Sequence, residues 1–115
     1  MSEPFDRAEL LDRVDNDVEF LIETVEMLEE ESPGLLNEID TAIKADDAPG
    51  LTHAAHTLKG MLGNFCAPPA QEAARKLEVM GREASLGDAG PAREQMESRL
   101  AELQTALRAF IAEQS

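Results

Sequence analysis

The sequence contains no tryptophan and no tyrosine, and four phenylalanines are its whole aromatic content. Its core must therefore be aliphatic, drawn from Leu, Ile, Val, Ala and Met. A single cysteine, Cys66, excludes an intrachain disulfide and suits a reducing compartment. No run approaches the roughly 18 apolar residues needed to span a bilayer. Residues 1–5 show no basic stretch leading into an apolar one, so no signal peptide is expected. The expectation is a soluble, cytoplasmic protein with no membrane partner. Basic residues are also scarce: 10 Lys and Arg stand against 24 Asp and Glu, for a formal net charge of -14. Such a surface repels nucleic acid, which is therefore not an expected partner.

What is present suffices for one domain, taken as residues 1–115, with 43% hydrophobic residues to fill a core. No segment alternates with a period of two, so no sheet is expected. Residues 6–12 read as a short first helix carrying Leu10 and Leu11. Asp15 or Asp17 can cap a second, with Val18, Leu21, Val25 and Leu28 on its apolar face. Pro33-Gly34, following the acidic run Glu29-Glu30-Glu31, reads as a break. A further helix then carries Leu35, Leu36, Ile39 and Ile43. The next runs from about Pro49 to about Phe65. Pro68-Pro69 stops it and can open another, with Ala70, Ala73, Leu77, Met80 and Ala84. Residues 87–91 read as a loop, and the last helix carries Met96, Leu100, Leu103, Leu107 and Phe110. The expected fold class is all-α: an antiparallel four-helix bundle with a short additional N-terminal helix.

The helix 51–65 carries the chemistry. Leu51, Ala55, Leu58, Leu62 and Phe65 follow the four-three spacing of a core face. At about 100° per residue, His56 falls on the opposite side and points to solvent. Thr52 and His53 lie one turn before it, Lys59 and Gly60 one turn after, and Gly63 two turns after. Each interior glycine costs about 1 kcal/mol relative to alanine. Neither stands on the core face, and a surface without side chains lets another protein approach the imidazole. Charge marks the same place. An even spread of the acids would put about five in segment 48–71, and there are none. Only His53, His56 and Lys59 ionise there, which makes a neutral-to-basic patch in an acidic protein. An exposed, neutral imidazole keeps a ring nitrogen free to attack phosphorus. Lys59 can neutralise phosphoryl oxygens as a point charge.

The run His56-Thr57-Leu58-Lys59-Gly60, continued by the small residues Gly63-Asn64, resembles the signature of histidine-containing phosphotransfer (HPt) domains. The resemblance implies a helical bundle across essentially the whole chain. It implies phosphorylation of His56 on Nε2, with Lys59 steadying the phosphoryl group and Gly60 giving a partner clearance. It also implies that Glu78, 22 positions after the histidine, hydrogen-bonds the imidazole, and that Arg82 lies near the docking surface with Thr52, His53, Gly60 and Gly63. The implied partners are response-regulator receiver domains or a hybrid histidine kinase; the small size of the patch points to a monomer. The receiver would supply Mg²⁺, and this chain would bind no cofactor or metal of its own. One position departs from the family. Cys66 stands ten residues after the histidine, where glycine is usual. Cysteine does not readily take the left-handed conformation, so a differently built helix end is expected.

The implied function is reversible phosphoryl transfer between His56 and receiver aspartates. No phosphate-cradling glycine loop is present, so no self-phosphorylation with ATP is expected. A phosphoacceptor domain of a chemotaxis-type or hybrid kinase shares the same motif and stays open. A receiver-binding module without transfer is a further alternative, against which His56 and Lys59 both argue. A metal site from His53, His56 and Cys66 is disfavoured, since Cys66 lies about 15 Å along the axis.

Overall fold

The computed structural model describes residues 4–114. Five helices follow in order: α1 (Arg7–Arg13), α2 (Val18–Lys44), α3 (Ala48–Gly63), α4 (Pro68–Arg82) and α5 (Ala89–Glu113). No strand occurs among the described residues. α2 and α4 each pack against both α3 and α5, which closes the four long helices into a bundle. No helix is long and apolar enough to cross a membrane.

The apolar stripes converge as their spacing requires. Leu21, Leu28 and Ile39 of α2, Leu51, Leu58 and Leu62 of α3, Leu77 of α4, and Met96, Leu103 and Leu107 of α5 are all fully buried. Leu10 of α1 is buried with them. The Asp6 amide donates to the Cys66 carbonyl at 2.9 Å, tying the N-terminal segment to the end of α3.

The expected break at Pro33-Gly34 does not occur: α2 runs through it for 27 residues. The cost of an interior proline, about 3 kcal/mol, is outweighed here by burial on both sides. Leu28, Ser32, Leu36 and Ile39 stay buried along one face, while Pro33 and Gly34 lie exposed. Joining the two expected segments is also what brings the count of long helices to four. The loop at 87–91 is shorter than expected. α5 begins at Ala89, and Pro91 sits in its first turn, where an N–H has no helical partner to lose.

Aspartates start four of the helices, and three of them cap through the side chain. Asp6, Asp17 and Asp47 accept from the amides of Glu9, Phe20 and Gly50. The helix ends are less ordinary. Asp15, Asn16, Asp46, Cys66 and Ala84 all have φ between 52° and 57°, and no glycine among the described residues has a positive φ. Six-to-one bonds close three of these ends, from Asn16 N to Leu11 O at 2.8 Å, from Asp47 N to Ala42 O at 2.8 Å and from Ser85 N to Met80 O at 2.9 Å. Ala84, expected on the apolar face of its helix, lies beyond α4 and is exposed. Cys66 corrects another expectation. It takes the left-handed conformation at φ 53° despite its side chain, which is buried. Burial pushes its thiol pKa up, as suits a small apolar packing group. The end of α3 still has its own construction, since the Cys66 carbonyl serves the Asp6 amide.

Candidate functional site

Capping by Asp47 and the Leu51–Leu62 stripe fix the rotation of α3 in the bundle. That rotation turns His56 outward, with its side chain 64% exposed. α4 packs beside it and brings Glu78 to the imidazole. The distance from His56 Nδ1 to Glu78 Oε2 is 2.6 Å. Glu78 is itself buried, 1% exposed. Lys59 Nζ donates to its other oxygen, Oε1, at 2.6 Å, and Arg82 donates to Oε2 at 2.8 Å. One carboxylate thus accepts from three cationic or potentially cationic side chains on two helices.

The electrostatics follow from that geometry. The hydrogen bond from Lys59 holds the Glu78 carboxyl below the usual carboxylate range. Burial pushes the other way and is outweighed by Lys59 together with His56 and Arg82. A carboxylate that stays ionised can only accept. The proton in the 2.6 Å contact therefore belongs to Nδ1 of His56, and Nε2 of the neutral ring is left as an unprotonated lone pair.

The other residues singled out by sequence fall as follows. His53 is exposed one turn before His56. Thr52 is half-buried: its hydroxyl donates to Ala48 O at 2.9 Å, and it lies against Gly81 of α4. Gly60 faces open space, so no packing demand explains the missing side chain. A Cβ at Gly63 would meet Gln71 Nε2 at 3.2 Å, so that glycine also has a local neighbour. Beside them lies a groove of about 460 Å³ lined by Asp6, Glu9, Arg13, Gly60, Gly63 and Gln71, among others. The acid-free run of sequence is therefore bordered in space by two acids of the N-terminal segment. Arg82 reaches the Glu78 carboxylate as well as the surface. Among the described residues no three His, Cys, Asp or Glu side chains gather so as to hold a metal ion.

Sequence reasoning missed Gly81. A Cβ there would collide with the Thr52 hydroxyl and stand 2.7 Å from Thr52 N and 3.0 Å from Ala48 O. The available signal was a glycine one turn after Glu78, in the last turn of a strongly patterned helix.

Comparison with known proteins adds to this geometry. The Hpt domain family matches residues 23–109. Histidine-containing phosphotransfer protein B (HptB) from Pseudomonas aeruginosa PAO1 has a similar structure, with a TM-score of 0.84 at 24% identity, over 98% of each chain. The HPT domain of an Hpt sensor hybrid histidine kinase from Shewanella superposes with a TM-score of 0.76 at 17% identity, over 96% of this chain and 95% of that one. No curated protein matches the sequence.

Proposed function

The chain belongs to the Hpt domain family, and from that premise we propose that His56 is the residue that carries the phosphoryl group. Its role is histidine phosphotransfer in phosphorelays, among the receiver domains and kinases of two-component systems. The observation that supports His56 is the 2.6 Å contact of its Nδ1 with the buried Glu78 carboxylate, which leaves Nε2 free on an exposed ring.

In the forward step the Nε2 lone pair attacks the phosphorus of a receiver aspartyl phosphate. The N–P bond forms, the P–O bond to the aspartate breaks, and the aspartate leaves as a carboxylate. Nδ1 keeps its proton throughout and donates it to the Glu78 carboxylate, which offsets the positive charge gathering on the ring. Transfer to the next receiver is the same step reversed. Lys59 steadies the phosphoryl oxygens; its Nζ has three donors, and the bond to Glu78 Oε1 occupies one. The open surface at Gly60 admits the partner, and His53, Gly63, Arg82 and the exposed edge of Thr52 complete the docking face. A receiver would supply Mg²⁺, and bound there it would neutralise charge on the transferring group. The carrier works as a monomer.

The test is to mix the protein with receivers labelled on aspartate and follow the label. Transfer to the wild type and none to His56→Gln is the expected result. An unlabelled wild type, or label retained by His56→Gln, would overturn the assignment.

A further inference from the structure

We infer that Gly81 is a positioning residue for His56. It has no side chain because α4 must close on α3 tightly enough for Glu78 to reach the imidazole. This rests on the reading of His56 as the nucleophile.

The geometry carries the inference in three steps. Gly81 is buried at the crossing of α3 and α4, and a Cβ there has nowhere to go. The Thr52 hydroxyl could rotate away from it. The Thr52 amide nitrogen at 2.7 Å and the Ala48 carbonyl at 3.0 Å cannot, since both belong to the backbone of α3. Any side chain at 81 must therefore push the helices apart. The crossing is also next to the site. Thr52 precedes His56 by four residues on α3, and Gly81 follows Glu78 by three on α4, so each partner of the crossing lies about one turn from a partner of the hydrogen bond. A separation opened at 52 and 81 is thus applied to the contact between 56 and 78. That contact has little slack, because Glu78 is buried between the helices and both oxygens are engaged at 2.6–2.8 Å. Gly81 touches neither the imidazole nor the phosphoryl group. It acts through Glu78.

The contrast with Gly60 sharpens the assignment. Gly60 faces open space, so a methyl there leaves the helices where they are. Two glycines near one histidine thus serve different ends: one clears the surface, the other sets the gap between helices.

The experiment uses the full chain and two readouts. The nitrogen spectrum of the His56 ring reports which nitrogen is protonated, and transfer of label from a receiver reports the rate. In the wild type Nδ1 carries the proton. In Gly81→Ala the ring should shift to the nitrogen pattern of Glu78→Met. The rate should fall by about 10²-fold, as a misplacement near 1 Å can cause. The double variant Gly81→Ala/Glu78→Met should be no slower than Glu78→Met alone, because both changes remove one contact. Adding Thr52→Ala to Gly81→Ala should restore nothing, since the backbone clashes remain. If Gly81→Ala does not fold, Thr52→Leu wedges the same crossing from α3 and should give the same ring pattern. A ring that keeps its proton on Nδ1 in the wedged variant, or losses that multiply in the double variant, would overturn the inference. A wild type that accepts no label would instead overturn the reading of His56, and the ring spectra would still decide for or against Gly81.

Discussion

Glu72 and Glu78 lie six residues apart on α4, both bind arginine, and both titrate below the usual carboxylate range. Glu72 hydrogen-bonds Arg75, three residues along the same helix, and both side chains are about half exposed. Its low pKa comes first from that hydrogen bond, and water competes with the pair on every side. Glu78 is buried and takes Lys59 and His56 from α3 as well as Arg82 from its own helix. The two pairings of similar chemistry therefore do different things. The exposed one decorates a helix, whereas the buried one joins two helices and meets the imidazole proposed as the nucleophile.

Glu78→Met should break this contrast most severely. Phosphotransfer should fall about 10²-fold, because the ring loses the acceptor that keeps its proton on Nδ1. Stability at pH 7 should change little by comparison, within about 1 kcal/mol. Burying a carboxylate costs desolvation that its partners only roughly repay, and an apolar group of similar length forgoes both. Label transfer and urea midpoints measured together would show the split. Acid should expose the stored electrostatics. Glu78 has a folded pKa depressed below its unfolded value, so its stabilisation is present above the ordinary carboxylate pKa of about 4.3. It is lost as pH falls through the folded value. Between pH 7 and pH 3 the stability of the wild type should drop relative to Glu78→Met; a constant difference would contradict the ionised, triply bonded carboxylate.

Arg82→Gln should have a smaller effect. Its side chain is 59% exposed and supplies one of three donors, so Lys59 and His56 keep Glu78 in place. A decrease of a few-fold in transfer rate is expected, read from the same label assay. The smallest effect belongs to Glu72→Met. Loss of an exposed i,i+3 pair should move stability by less than about 0.5 kcal/mol and leave transfer unchanged. A transfer defect in Glu72→Met would show that the comparison between the two carboxylates has been drawn in the wrong place.

Much of the site could be read along the chain, and what escaped did so for physical reasons. His56 showed itself by its angle from Leu51, Leu58 and Leu62, and Gly60 by standing off that face. Glu78 entered only through resemblance, since nothing local distinguishes it from Glu72. Gly81 went unread because its neighbour, Thr52, belongs to another helix. Pro33 was misread because local propensity was weighed without the burial of Leu28 and Leu36 on either side. Cys66 was misread for a similar reason: tertiary packing and the bond to Asp6 hold a conformation that cysteine does not favour alone.

Apart from the Pro33-Gly34 join and the exact ends, the sequence by itself determined which segments coil and the main apolar stripe of each. It also determined that His56 stands outward, opposite the core face, on an acid-free stretch. These are properties of a single helix, repeated every 3.6 residues and settled by neighbours within a turn or two. Only the tertiary structure decided that Glu78 is buried, that three side chains converge on it, that Asp6 and Glu9 border the glycine surface, and that position 81 can bear no side chain. Those depend on the distance and rotation between helices, which the packing of the whole core sets and no local spacing records.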